Sequence, residues 1–531
     1  MLKKKKLKLK KFSFHPITTF ILLILAVMLA SSLLSLLNVQ ANYSHVNSSN
    51  ELESTIVAVE GLFNFEGFRF LISNALENFS SFAPLITLLI ALIGLSVAYA
   101  SGFIDAFIKR ITSKISNKQL TFFIILLATL SSIINEVGYV ILIPFAALIF
   151  LANGRNPLLG ITASFCGVAF GYGVSFFAGS AEINLVPITT EASYVIDSTY
   201  HVSMLSNWFA MIISSIIVSI VGTYVIENII SKKIGKYHVV EDDNESETKE
   251  IKLEDVELEQ QKRLEEDVKQ KRGLRYSLIT FIVFFVLVAY MIIPGLPGSG
   301  LLLDMDYNAY INRLFGDSSY FQKGFTYLIS VMFLLLGIAY SLGAKTIKND
   351  KEMVEKSSLY LKDVGYVIAL VFFASQFIAI FKKTNIGMVI VASIANVIKG
   401  LEFTGLPLII TVVILIAISS FFVTTQTVKW TVLAPSVVPL LMQANVAPQF
   451  SQFIFRVGDS MTKGFTPLLA YFAIYLGYLN IYNTEKEPIT IKKALSFVYP
   501  YCLIISITWI IIVSLIYIVG IPIGPGVYPT L

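Results

Sequence analysis

The stretch Thr424–Pro435, TTQTVKWTVLAP, places Thr424, Thr425, Gln426 and Thr427, then Lys429 and Trp430, between apolar runs. GLPLIITVVILIAISSFFV (405–423) precedes it, and apolar residues follow to Met442. Three other polar concentrations interrupt long apolar segments: FRVGDSMTKGFTP with Arg456, Asp459, Lys463 and Pro467; GSAEINLVP with Glu182; and NEVGYVILIP with Asn135 and Glu136. An ionisable residue in a membrane segment marks a solute path, a proton relay or an ion site. The arrangement points away from bond-breaking chemistry, because it has no nucleophile elbow and no metal-ligand spacing. Cys166 and Cys502, the only cysteines, lie in apolar runs and form no disulfide framework. The four histidines (His15, His45, His201, His238) fall outside or at the edges of apolar runs, which argues against a buried histidine metal site.

These residues must be positioned by membrane helices. The chain has 531 residues, 55% hydrophobic and 14% charged, with mean hydropathy +0.74. That composition fits a multi-span membrane protein. A net charge of +5 calls for no nucleic-acid partner. Much of the basic charge is KKKKLKLKK (Lys3–Lys11), so residues 1–15 read as a cytoplasmic, lipid-facing flank. The apolar run that follows is longer than a signal-peptide core, and a retained first helix is expected.

Spanning segments are expected near 16–38, 83–103, 157–190, 207–231, 276–293, 322–344, 359–381, 449–479 and 495–519. The fold class is an all-α polytopic membrane protein with about nine transmembrane helices. Segments 157–190 and 449–479 are too long for one straight helix and carry glycine and polar residues mid-way. Blocks 120–152 and 405–445 have polar centres and read as two oppositely oriented re-entrant hairpins. With the N-terminus inside, the lysine- and arginine-rich segments 104–119, 232–275, 345–358 and 480–494 all fall inside. The exception is 382–404, which leaves Lys382, Lys383 and Lys399 outside. Segment 232–275 reads as a charged cytoplasmic loop, with room for a helix.

NEVGYVILIP and QTVKWTVLAP correspond residue by residue: Asn135 faces Gln426, Tyr139 faces Trp430, and Pro144 faces Pro435. Each is followed by a long helix broken by polar residues and closed by a proline. Residues 120–190 and 405–479 therefore form two repeats of hairpin plus broken helix. This is the sequence pattern of an inverted-repeat secondary transporter. A helix that stops inside a bilayer strands its end amides and carbonyls, which survive only against protein, a cavity or a bound solute. Thr424, Thr425, Gln426 and Thr427 are then expected to be ligands and caps at the second tip.

At TVKWTVLAPSVVPLLM and FRVGDSMTKGFTPLLAYF the chain resembles the p-aminobenzoyl-glutamate transporter (AbgT) family. The resemblance extends through NEVGYVILIPFAALIFLANGRNPLLG, GSAEINLVPITTEAS and FFASQFIAI. It implies nine membrane helices, two re-entrant hairpins and a homodimer. It also implies uptake of p-aminobenzoyl-glutamate or export of sulfonamide-type antimetabolites, driven by a proton or sodium gradient. By resemblance, Thr427 is the small hydroxyl residue of the second tip, Trp430 the tip tryptophan, Arg456 and Asp459 the broken-helix pair, and Pro467 the helix-breaking proline. Glu182 stands where the family usually has Asp, Glu136 where Asp is expected, and Lys463 where Asn is common.

The expected solute is an aromatic carboxylate. Its binders would be Arg456, Lys463, Thr425, Gln426, Thr427, Trp430 and Asn135, with Pro467 at the break. Glu182, Asp459 and Glu136 would carry the coupling proton, or sodium near Glu182 and Asp459. No other cofactor is expected. Arg456 and Asp459, one helical turn apart, also suit a structural ion pair. Glu182 also suits a partner for Lys463, Glu136 also suits a hairpin cap, and Lys429 is expected to pair with a carboxylate or snorkel. Trp430 and Tyr139 suit either core packing or stacking on an aromatic solute. An anion channel is the rival class. The expected location is the cytoplasmic membrane.

Overall fold

The computed structural model describes residues 14–46, 52–112, 114–134, 136–235, 237, 253–362 and 364–531, with backbone alone over 253–264. Among them are eight helices long and apolar enough to cross a membrane. Seven coincide with expected spans: Pro16–Leu36, Ala83–Ala100, Trp208–Ile234, Glu265–Ile292, Tyr320–Ala344, Val364–Lys383 and Ile491–Val519. The eighth, Asn117–Ile134, falls in the expected first hairpin.

The remaining membrane segments are short helices. In the first repeat, after α1 (Asn117–Leu130), which opens the eighth long helix, they are α2 (Val137–Ala152), α3 (Pro157–Gly171) and α4 (Ser180–Ser193). In the second they are α5 (Gly405–Ser420), α6 (Gln426–Gln443), α7 (Pro448–Thr462) and α8 (Phe472–Ile481). Local sequence sets their limits. Ser116 and Gln119 close a capping box at the start of α1. Pro157 and Pro448 occupy first-turn positions of α3 and α7, where the missing N–H costs nothing. The breaks contain Gly173 and Gly179 in the first repeat, and Gly464 and Pro467 in the second. Helices of 10–18 residues rise only about 15–27 Å, short of a bilayer core of about 30 Å.

The repeats interleave. Helix α3 packs on α1 and α2, and α7 on α5. Across the repeats, α4 packs on α6 while α8 packs on α2 and α3. Every residue of α3 and of α7 is buried. Helix α3 is apolar apart from Thr162 and Ser164, whose hydroxyls donate to the Leu158 and Gly160 carbonyls of its own backbone. Helix α7 buries Gln449, Ser451, Gln452, Arg456, Asp459, Ser460 and Thr462, and each of these needs a partner.

Three features differ from expectation. Segment 39–82 holds a two-stranded antiparallel hairpin, Gln40–Val46 with Leu52–Ala58, and two short helices. Exposure alternates through Thr55–Ala58, but Thr, Ile, Val and Ala do not alternate in polarity, so the sequence carries no two-residue period there. Segment 382–404 is not a plain connection but contains the helix Ile386–Lys399, masked by its flanking lysines. Those lysines are held by the 39–82 segment: Lys383 pairs with Glu60 at 2.8 Å, and Lys399 lies 3.1 Å from Ser44 Oγ. Finally, the expected span 276–293 is the end of a longer helix, Leu253–Ile292, which begins within the charged loop.

The helix pair Ala83–Ala100 and Tyr320–Ala344 meets backbone to backbone at Gly94, where an added Cβ would stand 1.8 Å from the Ser330 carbonyl oxygen. Small residues at such a crossing permit close approach in lipid. Gly94→Ala is expected to lower stability by about 1–3 kcal/mol, read as a lower melting temperature in detergent.

Candidate solute and ion site

Three ion pairs hold the buried charges of α7 and the residue that follows it. Arg456 donates through Nη1 to Glu182 on α4. Asp459 receives the Lys429 ammonium from the first turn of α6. Lys463, one residue past α7, lies 3.0 Å from Glu136 at the start of α2. Arg456 and Asp459 are thus not partners: each reaches to a different element, and neither needs its neighbour one turn away. Glu182 pairs with Arg456 rather than with Lys463. Lys429 pairs with a carboxylate as expected, and its side chain is fully buried.

Each pair is tied down further. The second oxygen of Glu182 accepts from the Gly179 backbone N–H at 2.7 Å, closing the start of α4. The Ser420 hydroxyl, at the end of α5, lies 2.5 Å from Lys429 Nζ and 3.1 Å from Asp459 Oδ1. Lys463 Nζ stands 3.3 Å from the centroid of the Tyr172 ring, a cation–π contact at the first break. Glu136 occupies the N-cap position of α2, yet its carboxylate serves Lys463 instead of the helix end. At 29% exposure it is the one carboxylate of the three open to water.

The aromatic tip residues are packed by protein. Trp430 stacks on Phe455 with ring centroids 4.3 Å apart, and donates from Nε1 to Thr189 Oγ1 at 2.9 Å. Thr189 in turn donates to Gln452 at 2.6 Å. Tyr139 stacks on Tyr471 at 4.6 Å. So the second tip meets the first broken helix through Trp430 and Thr189, while the first tip meets the second break through Glu136 and Lys463. Gly173 makes this closeness possible. A Cβ there would meet Ser460 Oγ at 2.6 Å and the Arg456 carbonyl at 2.8 Å.

The tip itself is open. Thr425 is the N-cap of α6, but no side chain caps that helix, contrary to the expectation that the tip residues would do so. The extended backbone at Thr425 leads into α6 without turning a hydroxyl back onto it. Thr425 is exposed, Thr424 and Thr427 are half-buried, and Gln426 is buried with Nε2 lacking a hydrogen-bond partner. Arg456 Nε and Asp459 Oδ2 are likewise buried without partners. Half-buried Pro467 lies in the second break, and Asn135 falls outside the described residues. A cysteine at Thr425 should react readily with a small water-soluble thiol reagent, and one at half-buried Ser131 more slowly. Mass spectrometry after timed labelling reads both rates, and full protection of Thr425→Cys would close the tip.

Sequence reasoning missed the residues that hold the charged ones: Ser420, Thr189, Gln452 and Tyr172. Their signals were faint. Ser420 follows Ser419 at the end of an apolar half-helix, and Thr189 lies two residues after Pro187 in PITTEAS.

The family model for AbgT transporters matches residues 11–531. The chain belongs to the AbgT transporter family. It is 29% identical over 517 residues to the p-aminobenzoyl-glutamate transport protein of Escherichia coli, covering 97% of this chain and 94% of that protein. Two solved AbgT-like chains are also similar. The YdaH transporter of Alcanivorax borkumensis is 25% identical, with 96% of this chain and 100% of that chain covered and a TM-score of 0.47. MtrF of Neisseria gonorrhoeae is 29% identical, with 97% and 98% covered and a TM-score of 0.47. This AbgT-family chain is a multi-pass membrane transporter.

Proposed function

We propose that this protein is a secondary active transporter that moves p-aminobenzoyl-glutamate, or a related aromatic carboxylate, across the cytoplasmic membrane on a proton or sodium gradient. The observation that carries the solute class is a pair of buried donors without partners, Gln426 Nε2 on α6 and Arg456 Nε on α7, together with a start of α6 that no side chain caps. Donors without partners suit a carboxylate, and a half-helix N-terminus adds partial positive charge. The E. coli relative's name supplies the particular solute. Arg456 and Lys463 attract the anion, with Thr425, Gln426 and Thr427 completing its hydrogen bonds. Trp430 borders it, and Pro467 keeps the break. Glu182 and Glu136 carry the coupling charge, with Asp459 held by Lys429. Arg456 is buried, so solute reaches it only when the hairpins rock apart and its pair with Glu182 loosens.

The proposal places the N-terminus inside, supported by the lysine- and arginine-rich segments 104–119, 345–358 and 480–494. It includes a homodimer in lipid. Only 6% of the apolar window of Glu265–Ile292 is buried, and such a face needs lipid or a second copy. Proteoliposomes under imposed proton and sodium gradients test the function. Accumulation of p-aminobenzoyl-glutamate above the outside concentration is expected. Equilibration without accumulation under every gradient would make the protein a channel.

A further inference from the structure

We propose that the Lys429 ammonium is a tethered cation filling a monovalent-cation site formed by Asp459, Ser420 and the end of α5, so that sodium does not bind there in this protein. The proposal deepens the transport reading, because it states which ion that site does without. Lys429 Nζ sits on the Asp459 carboxylate and 2.5 Å from the Ser420 hydroxyl. Ser420 Oγ also lies 3.1 Å from Asp459 Oδ1 and 3.1 Å from the Ile416 carbonyl. A carboxylate and a hydroxyl are hard oxygen donors, the type that holds alkali and alkaline-earth cations. Ser420 is also the last residue of α5, so the negative end of a half-helix dipole faces the same nitrogen. Broken-helix C-termini of this kind coordinate coupling cations in transporters.

Charge balance decides between ammonium and metal. The three cations Lys429, Arg456 and Lys463 face the three carboxylates Asp459, Glu182 and Glu136, and their charges cancel. A sodium ion added beside Lys429 would leave one positive charge uncompensated in a buried site, which is strongly unfavourable. The two cations therefore exclude each other, and the covalent one is always present. Removing the ammonium leaves a buried carboxylate and a hydroxyl with no cation.

The test is melting of purified protein in sodium, potassium or choline chloride at constant ionic strength, without solute. Wild type is expected to show no sodium response that Asp459→Asn removes. Lys429→Ala is expected to melt lower, with a saturable rise in sodium that potassium and choline do not give. The double variant Lys429→Ala/Asp459→Asn is expected to lose that response. A folded Lys429→Ala protein indifferent to sodium overturns the proposal. So does a sodium response that survives in the double variant. Lys429→Gln replaces the alanine variant if that one fails to fold. If neither folds, wild type and Asp459→Asn decide, and a sodium-dependent rise in wild type that Asp459→Asn loses overturns the proposal. The readout needs no transport, so failed uptake in liposomes would sink the transport reading and leave this result standing.

Discussion

Arg456→Ala is expected to destabilise the protein by about 3–5 kcal/mol, the usual cost of stranding one member of a buried ion pair. The charge left behind is Glu182, 274 residues away in sequence. The compensating change is therefore at Glu182. The double variant Arg456→Ala/Glu182→Gln should regain most of the loss, because the amide keeps an acceptor for the Gly179 N–H while the stranded charge is gone. Arg456→Ala/Asp459→Ala should regain nothing, because it strands Lys429 as well. Melting of the four proteins decides the pairing. Recovery in the Asp459 double and none in the Glu182 double would reverse the partners assigned here.

The second large effect concerns coupling. Glu182→Gln is expected to abolish gradient-driven accumulation and to tighten solute binding. Wild-type Arg456 is balanced by Glu182, so an incoming carboxylate must displace an internal one. With a neutral amide at 182 the guanidinium has no rival anion. The solute is then held more firmly in the inward and outward states alike, and a ligand that binds both states equally shifts neither. Calorimetry should show a lower Kd, and liposomes should show no accumulation. Wild-type accumulation with unchanged affinity would remove Glu182 from the coupling machinery.

Much of the architecture was written locally. Runs of about twenty apolar residues announced the seven long spans, and glycine and polar residues in the middle of two overlong segments, with Pro467, announced the two breaks. The likeness of NEVGYVILIP and QTVKWTVLAP anticipated the matching order of helix, tip, helix and broken helix. That the tips are re-entrant remains part of the proposal. The pairing of charges was not legible, because it is a long-range fact. Spacing of three residues suggested Arg456 with Asp459, yet both point to other elements. Ser420 and Thr189 escaped notice because one hydroxyl in an apolar helix looks the same whether it bonds its own backbone or serves a distant lysine or tryptophan. The helix Ile386–Lys399 and the strand pair were hidden by charged or polar neighbours, since hydropathy weighs composition and not the partners that neutralise it.

The pair of Arg456 with Glu182 has a consequence for how the chain is made. At roughly 5–20 residues per second, the ribosome adds the arginine about 14–55 s after the glutamate. Trp430 reaches Thr189 after a similar delay, being 241 residues later. For that interval the first repeat sits in lipid with Glu136 and Glu182 unmatched, at a cost that holds its helices apart or keeps them near water. The first half is thus a waiting scaffold, and the second half supplies the lock. Nascent chains halted before residue 456 should be cleaved by protease within the first repeat, and chains halted beyond the last helix should resist.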